Sequence, residues 1–96
     1  MIVMRMRWEG ATPKQYNRMR EKLDWENNLP DGGIQHVAWF DDRGMNVVDV
    51  WESEEQFNAF IQKQVMPAVQ DLGIPEQPEV QIDEAHAVNR GLLANR

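Results

Sequence analysis

Ile2, Met4, Met6 and Trp8 fall on one parity of the chain's first segment and Val3, Arg5 and Arg7 on the other, and Gly10 closes the run. A period of two without a breaker predicts a strand over residues 2 to 8. Thr12-Pro13-Lys14-Gln15 then offers an N-cap hydroxyl, a proline at the first helical position and a Gln at the third, a capping box that opens a helix. Tyr16, Met19 and Leu23 recur at helical spacing, with the aliphatic stem of Arg20 beside them and Trp25 near the end. This stripe would face a sheet, and the helix is expected to stop before Asn28-Leu29-Pro30.

Asp31-Gly32-Gly33 is a turn cluster, and the aromatic and β-branched run Ile34 to Phe40 reads as a second strand. Asp41 to Gly44 is a hairpin loop, too short to cross the sheet, so Met45 to Trp51 is a third strand antiparallel to the second. Ser53-Glu54-Glu55-Gln56 repeats the capping logic with acidic residues at the positive helix end. Phe57, Phe60, Ile61, Val65, Val69 and Leu72 line the second helix, where Pro67 removes one backbone donor and is expected to kink it. Leu72-Gly73-Ile74-Pro75 predicts a glycine cap and a proline stop. Pro78 to His86, anchored by Val80 and Ile82, is the fourth strand.

The order βαββαβ predicts an α+β, ferredoxin-like fold: a four-stranded antiparallel sheet with strands 1 and 3 central and both helices on one face. Its strands carry apolar residues in both registers, as in Met4 and Val3, Val37 and Ala38, or Val47 and Val48. A sheet wetted on one side alternates more cleanly, so a second subunit is expected on the helix-free side, giving a homodimer. The 96 residues form one domain, with 87–96 a loose or partner-contacting tail. A chain of this length buries only about 60–65% of its unfolded surface, which a partner would improve.

Sixteen acidic against ten basic residues give a net charge of −6, which repels nucleic-acid phosphate and anionic membranes. The absence of cysteine excludes disulfides, thiolate metal sites and cysteine nucleophiles. No apolar run approaches a membrane span, and charges interrupt the first segment where a signal peptide would be apolar, so a cytoplasmic location is expected.

The stretch Val48-Asp49-Val50-Trp51-Glu52-Ser53-Glu54-Glu55-Gln56-Phe57 resembles the W-E-S-x-x-x-F segment of the dimeric α/β-barrel superfamily, which includes antibiotic-biosynthesis and haem-degrading monooxygenases. Haem-degrading members use an Asn on the first strand and a Trp and an iron-ligating His on the second helix. Here Arg5, Phe60 and Gln70 stand near those places, so neither haem nor another cofactor is expected. Cofactor-independent members hold an electron-rich aromatic substrate between sheet and helices. By that resemblance Tyr16, Trp39, Trp51, Phe57 and Phe60 would bind an apolar or aromatic ligand, with Trp8, Trp25 and Phe40 beside them. Plain core packing is the simpler account of the same aromatics, since stripes at helical and strand spacing are what any such domain needs.

His36 lies mid-strand, and imidazole is the side chain best suited to moving protons near neutral pH. If the loop joins Phe40 opposite Met45, His36 stands across from Asp49, the pairing a general base needs; a structural ion pair is the alternative. His86, beside Asp83 and Glu84, reads as edge charge, and no metal is expected. The functional expectation is a small-molecule-binding protein, oxygenase-like or isomerase-like, with His36 and Asp49 as catalytic residues. The alternative is a non-catalytic dimerisation or regulatory module with a self-filled core.

Overall fold

The computed structural model describes residues 1–74 and 78–89. Its elements are β1 (Ile2–Glu9), α1 (Pro13–Leu23), β2 (Gly33–Phe40), β3 (Gly44–Trp51), α2 (Glu54–Phe60), a π-helical turn (Ile61–Val65), α3 (Met66–Leu72) and β4 (Glu79–Glu84). The strands form one antiparallel sheet in the order β2-β3-β1-β4. With β1 and β3 at the centre, this is the ferredoxin-like arrangement. The expected proline stop at Pro75 and most of the expected tail, 90–96, lie outside the described residues.

Both capping hydroxyls act as their spacing suggests. Gln15 N–H donates to Thr12 Oγ1 at 3.2 Å and Thr12 N–H to Gln15 Oε1 at 3.0 Å, while Gln56 N–H donates to Ser53 Oγ at 3.2 Å. The end of α1 differs from expectation. It stops at Leu23, because Asp24 takes a left-handed conformation (φ 51°) and its carbonyl accepts the amides of Asn27 and Asn28. Trp25 and Glu26 therefore leave the helix and turn with the loop toward the sheet. At Pro67 the helix changes its hydrogen-bond pattern. The turn before it widens to π geometry, with Met66 N–H on the Ile61 carbonyl, and the proline occupies the first turn of α3, where a missing N–H costs little.

The hairpin register is fixed by Asp41, whose Oδ1 accepts the amides of Arg43 (2.9 Å) and Gly44 (3.1 Å) while Oδ2 accepts Asn46 Nδ2 (3.0 Å). Phe40 consequently pairs with Met45 and His36 with Asp49. On β3 every second residue from Met45 to Trp51 is buried, and these pack with Met4, Met6 and Trp8 of β1 against Met19 and Phe57 of the helices. Val3, Val37, Trp39, Val48 and Val50 take the opposite face, where Val37 and Trp39 remain 45% and 48% exposed.

Candidate functional site

Between the sheet and the helices the apolar packing is incomplete. It leaves a cavity of about 610 Å³. Its floor is the helix-facing side of β1 and β3, including Met4, Met6, Met45 and Val47; α1 contributes Tyr16, Met19 and Arg20, and the α2 segment Phe57 and Phe60. His36, Ala38 and Phe40 of β2 form one side, and the loop after α1 brings Trp25, Glu26, Leu29 and Pro30 to it.

One chain of hydrogen bonds runs from this cavity into the sheet. Tyr16 lies on the first turns of α1, where the capping box sets the helix and points its ring at β2. Its hydroxyl is 2.7 Å from His36 Nε2. The two ring planes are 3° apart with centroids 6.0 Å apart, so the contact is made at the hydroxyl end. His36 Nδ1 lies 2.6 Å from Asp49 Oδ1, and Trp51 Nε1–H donates to Asp49 Oδ2 at 3.1 Å. Asp49 is 7% exposed, the only charged residue among the described buried ones.

The directions of these bonds follow from chemistry. An indole donates only, and an ionised carboxylate accepts only. Asp49, receiving Trp51 on one oxygen, therefore receives Nδ1–H of His36 on the other. The neutral imidazole is left with a bare Nε2, which accepts the Tyr16 O–H. Burial pushes the Tyr16 hydroxyl above its ordinary pKa; Arg20 opposes that rise, and the carboxylates of Asp49 and Glu26 reinforce it.

Rings enclose the relay. Trp25 meets Tyr16 edge-on with centroids 5.7 Å apart and His36 at 5.2 Å, and Phe40 meets Tyr16 at 6.0 Å. On the far side Trp51 packs with Phe57 at 5.6 Å and Phe60 at 5.4 Å. Arg20 and Glu26, both at the cavity wall, form an ion pair.

The sequence-derived candidates divide accordingly. Tyr16, His36, Asp49, Trp51, Phe57 and Phe60 all line the cavity. Trp39 does not. Strand parity puts it beside Asn46 on the helix-free face, so it cannot share a pocket with Phe40, its neighbour in the chain. The bond from Tyr16 to His36 escaped sequence reasoning because it joins a helix to a strand across the layer. Trp25 lines the cavity as expected, while Glu26 escaped as a wall residue because the chain turns at a non-glycine left-handed residue. A spacing of four between Tyr16 and Arg20 was the visible signal that they share a helix face. Among the described residues no group of three or more His, Cys, Asp or Glu is placed to hold a metal ion.

No family model matches the sequence, and no curated protein matches it. Solved structures do. A protein from Deinococcus radiodurans assigned as an antibiotic biosynthesis monooxygenase is 16% identical, with 93% of this chain and 97% of that one covered at a TM-score of 0.60. SnoaB, a cofactor-independent oxygenase from Streptomyces nogalater, is 16% identical over 93% of this chain and 94% of its own, at 0.58. A Streptomyces coelicolor monooxygenase solved with nanaomycin D is 13% identical over 92% and 88%, at 0.54. At these identities the likeness is one of fold: the chain has the ferredoxin-like fold of antibiotic-biosynthesis-monooxygenase proteins.

Proposed function

We propose that this protein binds an apolar or aromatic small molecule in the cavity and removes a proton from it, through Tyr16, His36 and Asp49. The observation that carries the reading is the unbroken chain from Tyr16 at the cavity wall to a buried carboxylate. A substrate X–H lying against Tyr16 gives its proton to the phenol oxygen as the phenol's own proton passes to His36 Nε2. The products are a substrate anion and an imidazolium, the latter facing the Asp49 carboxylate. A histidine paired only for structure needs no cavity-facing hydroxyl on its second nitrogen.

Two outcomes suit such an anion. Reprotonation at another carbon is isomerisation. With dioxygen as co-reactant, a CH2 group becomes C=O with release of water, an oxygenation that needs no resident cofactor. SnoaB, of the same fold, is named a cofactor-independent oxygenase. The open volume speaks for ligand binding over the self-filled regulatory module.

The same reading takes the protein as a cytoplasmic homodimer, closed through Val3, Val37, Trp39, Val48 and Val50, since helices cover only the other side of the sheet. No helix among the described residues is long and apolar enough to cross a membrane.

Exchange of the benzylic C–H of 2-tetralone with D2O, followed by proton NMR, tests proton abstraction without knowledge of the natural substrate. The protein should accelerate exchange over buffer, and His36→Ala should lose the acceleration by about a hundredfold or more. Exchange no faster than in buffer, or unaffected by His36→Ala, would contradict the assignment.

A further inference from the structure

Proton removal leaves negative charge on the ligand beside Tyr16, and the wall there holds Arg20, one helical turn further along α1. Among the described residues lining the cavity, Arg20 is the one permanent cation, and Glu26 and Asp49 bring carboxyl groups. The guanidinium is already engaged by an anion in the empty protein: the Glu26 carboxylate sits on Arg20 NH2, at the same wall. That hydrogen bond holds the Glu26 carboxyl below the usual carboxylate range. The pair is half exposed, with side chains 45% and 58% accessible, so the carboxylate is free to swing away into solvent. Asp49 cannot take its place, because its two oxygens are occupied by His36 and Trp51.

We propose that Arg20 is the anion-recognising group of the cavity, that Glu26 occupies it until a ligand arrives, and that the ligand is an aromatic molecule carrying an acidic oxygen, a carboxylate or an ionisable enol or phenol. The inference rests on the cavity being the ligand site and adds the charge of what it takes. A planar guanidinium offers a carboxylate two parallel donors, which an ammonium cannot. The acidic oxygen lies at the Arg20 and Tyr16 end. The ring body lies over Met6, Met45, Phe57 and Phe60. The negative wall made by Glu26 and Asp49 sets the discrimination. An anion is accepted only where it displaces Glu26 from Arg20, so anions that cannot reach the guanidinium are repelled.

Binding of 2-naphthoate and its neutral isostere 2-naphthamide, read by tryptophan fluorescence at low salt, tests the idea. The wild-type protein should bind naphthoate more tightly than naphthamide by roughly two- to fivefold, a preference that shrinks as salt is added. Arg20→Met should bind naphthoate more weakly than naphthamide, Arg20→Lys should keep part of the preference, and Glu26→Gln should bind naphthoate more tightly than wild type does. Equal affinities in the wild type, or a preference that survives Arg20→Met, would overturn the role of Arg20 while leaving the cavity as a ligand site. Failure of both probes to bind would overturn the cavity reading and this inference with it.

Discussion

The Asp49 carboxylate receives two donors, Trp51 from the core and His36, whose side chain is 36% exposed. Asp49→Ala strands the buried Trp51 N–H, at a cost of about 1–3 kcal/mol, while water reaches the partly exposed His36. Urea denaturation followed by tryptophan fluorescence should show a loss of about 1–3 kcal/mol. Trp25 provides the contrast: its indole nitrogen is buried with no hydrogen-bond partner, so Trp25→Phe removes no bond and should cost less than about 1 kcal/mol. Tyr16 is the only tyrosine in the chain, so its ionisation can be followed alone by ultraviolet absorbance. Burial raises the pKa of its hydroxyl above the usual 10.0 in the folded state. The folded protein thus holds this proton more tightly than the unfolded chain. The stabilisation is complete below the unfolded value and is lost as pH rises through the folded one. The absorbance titration should be displaced upward from that of the urea-unfolded chain, and Tyr16→Phe should abolish this share of the alkaline loss of stability. Coincident titrations in the folded and unfolded protein would disprove the burial of this hydroxyl.

Individual elements show which parts of the fold are local. The capping box at Thr12, the N-cap hydroxyl of Ser53, the hairpin between Phe40 and Met45 and the parity of β3 follow from neighbouring residues, and all were legible in the sequence. The early end of α1 was not, because an aspartate in the left-handed region is unusual and Asp24 is held there by its surroundings. Nor was the π turn, which is one way among several for a helix to accommodate Pro67. Two glycines separate strain from crowding. A Cβ on Gly44, at φ 150°, would lie 2.3 Å from the Trp8 carbonyl oxygen and 2.8 Å from Gly10 N, both backbone atoms of the neighbouring strand and its turn. Gly44→Ala should therefore cost more than about 2 kcal/mol in a thermal or urea melt. A Cβ on Gly73, at φ 67°, would meet nothing within 4 Å, so Gly73→Ala should cost only the conformational term, about 1 kcal/mol. Similar losses at the two positions would contradict the close approach of β1 to the hairpin.

At the scale of the whole molecule, the pattern of greasy strands pointed to a covered sheet, but it could not separate the two faces until the register was known. That ambiguity explains why Phe40 and Trp39, adjacent in the chain, end on opposite sides, and why only the first belongs to the cavity. If the helix-free face is the subunit interface, Trp39→Glu should convert a dimer to a monomer at micromolar concentration in sedimentation velocity. A wild-type monomer under the same conditions would contradict that arrangement. The cavity itself was beyond reading from sequence, because packing gaps depend on how layers meet rather than on which residues are apolar. The pairing of His36 with Asp49 was legible only through the loop length, and its continuation to Tyr16 required the fold. The proposed chemistry depends on which His36 nitrogen carries the proton, and nitrogen-15 NMR of the labelled imidazole at neutral pH reads this directly. His36 should show Nδ1 protonated toward Asp49 and Nε2 bare, ready to accept from Tyr16. A protonated Nε2 in the resting protein would mean that the imidazole donates toward the cavity, and Tyr16 could not pass a proton to it.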